Sequence, residues 1–207
     1  MGSSARPFGS LLTHISARIP YDTRAKNRIQ GAAMKVRVYN LGWLQHMLEQ
    51  HDLCAHGAVE VEIGGEHFER DDEADWCVSA AALFLLRTLT RDHTASSPVG
   101  NKLIPCCGHA MYVVVGEEDV EIDTCPTGLN WEVQHLATSV LLRTEGGTEE
   151  YVTPEEWEHT VFQFADSVED LYKHSLPKEP ENSCEAAAYA AFQAEWSRRR
   201  GKRFLGN

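Results

Sequence analysis

The chain has 207 residues, of which 43% are hydrophobic and 24% charged, a composition typical of folded globular proteins rather than disordered ones. The formal net charge of −12 is uneven, because residues 38–197 hold 7 Lys and Arg against 30 Asp and Glu, a net of −23. Such an acidic surface repels nucleic acid and attracts basic partners, and no apolar run approaches the roughly 20 residues that cross a bilayer. We therefore expect neither nucleic acid nor a membrane as a partner.

Residues 1–33 differ in composition from the rest of the chain. They are rich in serine and arginine and contain one acidic residue, Asp22. This pattern predicts a flexible basic N-terminal arm or extension, followed by one α+β domain over residues 34–207. Because we see no secretory signal, we expect a cytoplasmic protein whose six cysteines are free thiols.

The first half of the chain alternates between strand and helix patterns. A strand is expected at 36–39, and apolar residues at helical spacing predict a short helix at 42–51. The alternation of apolar and acidic residues over 59–63 predicts a half-buried strand that ends in a Gly-Gly turn. A helix that is apolar on every side then follows from the N-cap Asp75 to about Arg91, so this helix should be buried.

The second half begins with a block of strands. Residues 111–115 and 120–123 flank a polar turn and predict a hairpin, residues 131–135 and 140–143 predict a second one, and a further strand is expected near Tyr151. The resulting fold class is α+β, with an antiparallel sheet of about five to six strands, a buried helix and two C-terminal helices.

The C-terminal third, residues 153–201, is predicted to be helical. Thr153 is the expected N-cap, Pro154 occupies the first helical position, and Glu156 completes a capping box. Aromatic residues then recur at helical spacing on this helix and on a second one that runs from Ser183 to Gly201. We expect both aromatic faces to pack in the core, and the basic tail at 198–203 to form a solvated helix end.

Three residues in this order of elements form a candidate catalytic set. Cys77 lies at the start of the buried helix, where the helix dipole would stabilise a thiolate nucleophile. His109 begins the first strand of the predicted hairpin and Asp123 ends the second, so paired strands would bring them together. A histidine can take the thiol proton, and a carboxylate can orient the imidazole ring.

The stretch from residue 75 to 126 resembles the transglutaminase-like branch of the papain-like cysteine hydrolases. The resemblance rests on Cys77 opening an alanine-rich helix, on His109-Ala110, and on Asp123 shortly before Pro126. It implies that Cys77 is the nucleophile, His109 the base and Asp123 the orienting acid. It also implies an acyl hydrolase or acyl transferase that acts on an amide or thioester of a peptide or protein, without a cofactor. Trp76 departs from the family pattern, which often places an aromatic residue just after the cysteine.

Two other interpretations remain open. Cys106, Cys107, His109 and Cys125 could form a zinc site, although adjacent cysteines on a strand would point apart, which favours buried thiols. The acidic body could instead belong to a non-catalytic binding protein, of the bacterial immunity or inhibitor type, that neutralises a basic protein. Residues 75–76 and the ending at 195–199 also resemble small bacterial proteins, a likeness that implies no activity.

Overall fold

The computed structural model describes residues 34–68 and 75–204, so the predicted arm at residues 1–33 lies outside the described part. The strands are β1 (Lys35–Gly42), β2 (His56–Ile63), β3 (Glu66–Phe68), β4 (Trp76–Cys77), β5 (Ile104–Pro105), β6 (Gly108–Tyr112), β7 (Glu121–Thr124), β8 (Gly128–Leu129), β9 (Trp131–His135), β10 (Val140–Thr144) and β11 (Glu149–Val152). The helices are α1 (Val78–Arg87), α2 (Pro154–Lys173) and α3 (Ser183–Arg200). The predicted α+β class, with a buried helix and a C-terminal helix pair, is confirmed.

The strands are divided among several antiparallel sheets. Strand β2 pairs with β1, β3 and β4, while β9, β10 and β11 form a second, consecutively ordered sheet. The remaining strands form two short ladders, β5 with β8 and β6 with β7. The core lies between these sheets and the three helices, and all residues of α1 are buried within it. Within the described ranges, no helix is long and apolar enough to cross a membrane.

The predicted helix at 42–51 is wrong. Strand β1 continues to Gly42, and only a short 3₁₀ turn forms at Glu49–His51. The carboxylate of Asp52 accepts hydrogen bonds from the backbone N–H of Leu44 at 2.8 Å and of Cys54 at 3.2 Å. Through these two bonds the Asp52 side chain links the start of the segment to the residues just beyond its end in a loop conformation.

The buried helix begins later than predicted. Asp75 lies outside it, and the N-cap is Cys77. The reason is a pairing that the local pattern does not reveal, since Trp76 and Cys77 form β4 opposite Gly57 and His56 of β2. The backbone remains extended until this ladder ends, and only then can the helix start.

The first strand of the first hairpin is displaced toward the N-terminus of its predicted position, and the second strand begins one residue later than predicted. Strand β6 ends at Tyr112, and Val113, Val114 and Val115 are exposed in the connection, Val115 to 99%. The partner strand β7 begins only at Glu121, so these valines have no strand to pair with. The second predicted hairpin is confirmed as β9 and β10, and the strand near Tyr151 is β11.

Both C-terminal helices begin as predicted, and α3 also ends as predicted. Thr153 and Glu156 form the capping box of α2, and Gly201 ends α3 in the left-handed conformation at φ 62°. Their aromatic faces pack in the core, where Trp157, Phe164, Tyr172, Phe192 and Trp196 are fully buried.

Removal of the α2 cap should have a measurable cost. The Thr153 hydroxyl accepts from the Glu156 N–H at 3.1 Å, and a Thr153→Ala chain loses this bond. We expect the free energy of unfolding to fall by about 1 kcal/mol, measured by urea denaturation. Gln163→Ala, an exposed change on the same helix, should leave stability within about 0.5 kcal/mol. Equal stabilities for the two variants would contradict the assigned cap.

The prediction of a solvated basic tail is wrong for two of its residues. The Arg199 side chain binds Asp119 at 2.8 Å and Glu195 at 2.7 Å. The Arg200 side chain is almost completely buried and pairs with Asp166 and Glu169. The charges of these two residues are therefore neutralised by acidic residues of the same chain.

Candidate functional site

The predicted nucleophile is held in a disulfide bond. Cys77 is 1% exposed and is bonded to Cys54, with 6.3 Å between the two Cα atoms. The expectation of free thiols is therefore wrong for this pair. Pairing of β4 with His56, two residues after Cys54, brings the two cysteines together although they are 23 residues apart in sequence.

The start of α1 packs against the β6–β7 hairpin, as the catalytic hypothesis requires. The Cys77 sulfur lies 4.0 Å from the carbonyl oxygen of Gly108. A side chain at Gly108 would bring its Cβ to 3.0 Å from that sulfur and 3.1 Å from Ala80, so glycine permits the close approach. Cys77 thus lies beside the residue that precedes His109.

The backbone of His109 belongs to β6, at an irregularity in the ladder between Gly108 and Ala110. Its side chain lies outside the described part of the structure. Whether the imidazole ring faces the Cys77 sulfur therefore stays a prediction.

Asp123 pairs with Ala110 across the hairpin, and its side chain is exposed. Its neighbours Ile122 and Thr124 are buried, and Ile122 lies on the side of Gly108 that meets α1. Because consecutive strand residues point to opposite faces, Asp123 faces away from the start of α1. Its role as the orienting acid stays a prediction.

The structure shows a second histidine and carboxylate pair that the sequence analysis did not identify. His56 lies directly opposite Cys77 in the β2–β4 ladder, so both side chains leave the same face about 5 Å apart at Cβ. Its Nε2 is 3.7 Å from Oδ1 of Asp52, and both residues are buried. Among the described residues, Nδ1 of His56 has no hydrogen-bond partner.

The charge of Asp52 is maintained by its surroundings. Burial raises the pKa of this carboxyl, but His56 and the backbone N–H groups of Leu44 and Cys54 outweigh burial and hold the pKa below its usual range. Asp52 is therefore ionised near neutral pH, as a group that orients and stabilises an imidazolium must be. The sequence signal for this pair was only the proximity of His56 to Cys54 along the chain.

A cleft of about 340 Å³ opens beside these residues. Asp52, Cys54, His56 and Gly108 line it, so both the disulfide and the histidine can be approached from solvent through it. The cleft is also lined by the partly exposed apolar side chains Met47 and Tyr112.

Three of the other cysteines lie close together in space, beside the ends of β5 and β6. The sulfur atoms of Cys106, Cys107 and Cys125 all lie within 4.8 Å of one another, and those of Cys106 and Cys125 are 2.6 Å apart. The hydrogen bond between these two lowers the pKa of Cys125 to about 7 and raises the pKa of Cys106 to about 12. The adjacent cysteines do not point apart as predicted, because they lie in a bend between β5 and β6 and not on a strand.

No protein-family model matches the chain, and comparisons with curated proteins and with solved structures likewise find no match. The functional assignment therefore depends on the arrangement of the residues described above.

Proposed function

We propose that the protein is a cysteine-dependent acyl hydrolase or acyl transferase whose nucleophile, Cys77, is released by reduction of the Cys54–Cys77 disulfide. The observation that carries this proposal is the position of Cys77. It is the N-cap of α1, it lies opposite His56, and its sulfur contacts the residue before His109. Its disulfide partner Cys54 lines the cleft together with His56 and Gly108.

The chemistry begins with reduction. A dithiol reductant transfers two electrons and two protons to the disulfide, becomes oxidised itself, and leaves Cys54 and Cys77 as thiols. The N-terminus of α1 stabilises the Cys77 thiolate, and a neighbouring histidine accepts its proton.

The thiolate then attacks the carbonyl carbon of an amide or thioester. The carbon–sulfur bond to Cys77 forms as the bond to the leaving group breaks, and the imidazolium returns its proton to that group. Water, or an amine in a transfer reaction, finally cleaves the acyl-enzyme. The apolar side chains of Met47 and Tyr112 along the cleft favour a substrate with an apolar group near the reacting carbonyl.

Two histidines compete for the role of base. The family resemblance implies His109 with Asp123, whereas the described side chains favour His56 with Asp52. His56→Ala and His109→Ala variants distinguish them, because loss of the true base should lower the rate of acyl-enzyme formation by about 100-fold or more. The variant at the other position should keep most of the rate.

The proposal is tested with a matched pair of variants, Cys54→Ser and Cys77→Ser, which both remove the disulfide. Alkylation by iodoacetamide near pH 7 is followed at each cysteine by peptide mass spectrometry, because Cys125 is also expected to react. Cys77 in the first variant should react at least about tenfold faster than Cys54 in the second, since about 1.4 kcal/mol of thiolate stabilisation gives that factor.

A thioester substrate analogue supplies the second measurement. Intact mass should show one acyl adduct on the Cys54→Ser chain and none on the Cys77→Ser chain. Slow and equal alkylation of Cys54 and Cys77, with no adduct on either chain, would exclude the acyl-transfer function.

A second candidate is an acidic binding protein that neutralises a basic partner. The observation in its favour is that the basic tail pairs internally with Asp119, Asp166 and Glu169, which leaves the large excess of carboxylates elsewhere. Binding should then be steered by charge and weaken as salt rises. The test is a pull-down at low salt with the immobilised wild-type protein. Recovery of no basic protein would count against this candidate.

A further inference from the structure

We propose that Cys106, Cys107 and Cys125 form a binding site for one thiophilic metal ion of the zinc class, held by three thiolates. This inference is independent of the proposed function, because the site uses none of Cys54, His56 and Cys77. The three sulfur atoms are mutually within 4.8 Å, and each cysteine is half-buried.

The backbone on both sides of the cluster is fixed. On one side, Pro105 pairs with Gly128 in the β5–β8 ladder, and on the other, Gly108 pairs with Thr124 in the β6–β7 ladder. The segments 106–107 and 125–127 run between these ladders, and the Cys106 N–H donates to the Thr127 carbonyl at 3.1 Å. The sulfur atoms are thus brought together by the fold and not by chance contact of flexible loops.

Gly128 is required for this approach. It has φ 157°, and a Cβ at this position would lie only 2.3 Å from the carbonyl oxygen of Ile104. The chain after Cys125 can therefore turn back against β5 only because residue 128 has no side chain.

The donor set fits a soft divalent ion. Zinc binds thiolates at about 2.3 Å, which places tetrahedral sulfur ligands about 3.8 Å apart. The separation of 2.6 Å between the Cys106 and Cys125 sulfur atoms is longer than the roughly 2.05 Å of a disulfide and would have to increase on binding. Binding displaces the thiol protons, and among the described side chains no fourth ligand joins the three sulfur atoms, so water or another small ligand completes the tetrahedron there.

Metal binding is tested on the full-length protein under reducing conditions, with zinc and cadmium as the probe ions. Elemental analysis of the purified protein, and zinc titration after chelator treatment, should give one equivalent per chain. Cadmium should produce thiolate-to-metal charge-transfer absorption in the ultraviolet with the same stoichiometry. Zinc binding should also raise the midpoint of thermal unfolding, because it ties the two ladders together.

Cys107→Ser is the informative variant, with Cys184→Ser as its control, since Cys184 is an exposed thiol outside the cluster. The first should weaken zinc binding by about 100-fold or more, because loss of a ligand costs at least as much as loss of a residue that supports one. The second should bind as the wild type does. Equal affinity in the two variants, or a fully reduced chain that binds no metal, would overturn the site. So would an intact mass showing that Cys106 and Cys125 form a disulfide that persists under these conditions.

Discussion

Replacement of Glu195 with alanine should lower the free energy of unfolding by about 3–5 kcal/mol, a large fraction of the stability of a domain of this size. The Glu195 side chain is 0% exposed, and it forms a two-bond ion pair with Arg87, with both distances 2.8 Å. It also accepts from Arg199 at 2.7 Å and from the backbone N–H of Val120 at 2.9 Å. The alanine chain leaves Arg87 buried with its charge uncompensated.

This ion pair also connects parts of the chain that local interactions do not join. Arg87 is the last residue of α1, Glu195 belongs to α3, and the guanidinium additionally donates to the carbonyl of Val120 just before β7 at 2.6 Å. Loss of the Arg87–Glu195 ion pair should therefore destabilise the whole fold and not one segment, which urea denaturation measures. Glu195→Gln keeps one acceptor oxygen and should therefore lose less free energy of unfolding. This variant can be measured if the alanine variant does not fold.

Glu145→Ala is the matched surface control. Glu145 pairs with Lys102 at 2.8 Å, but its side chain is mostly exposed, so its removal should cost no more than about 1 kcal/mol. Comparable losses for the buried and the exposed pair would contradict the importance assigned to the Arg87–Glu195 contact.

Local rules predicted those parts of the fold whose hydrogen bonds are local. The capping box at Thr153 joins residues three apart, and the β9–β10 hairpin joins strands with a short connection. The helix predicted at 42–51 does not form, because β1 continues to Gly42 and the carboxylate of Asp52, beyond the segment, holds the backbone N–H of Leu44 in a loop. Likewise, the valines at 113–115 were predicted to belong to a strand but have no partner strand, because β propensity does not specify where a partner strand begins.

The site was predictable only in part for the same reason. Its position at the start of a buried helix followed from sequence, and so did the hairpin beside it. The disulfide between Cys54 and Cys77 and the pairing of His56 with Cys77 depend on the register between β2 and β4, which no short motif encodes. Convergence of Cys106, Cys107 and Cys125 similarly requires two ladders to form on either side of them.

Reduction of the Cys54–Cys77 disulfide should lower the free energy of unfolding by about 3 kcal/mol, because the bond closes a loop across 23 residues of sequence and restricts the unfolded chain. The measurement is urea denaturation of the wild type with and without a phosphine reductant. The remaining stability should still maintain the fold, since the buried helix α1 and its contacts do not depend on the bond.

The same reasoning makes Cys54→Ser and Cys77→Ser comparable to each other. Both remove the same loop closure, so both should match the reduced wild type to within about 1 kcal/mol, and neither should respond to the reductant. If the wild-type midpoint were unchanged by reduction, the disulfide would contribute nothing to stability. If the two variants are equally stable, a difference in their alkylation rates does not come from a difference in unfolding. Because Cys77 is less exposed than Cys54, faster alkylation of Cys77 then reports a stabilised thiolate at the start of α1 and not easier access.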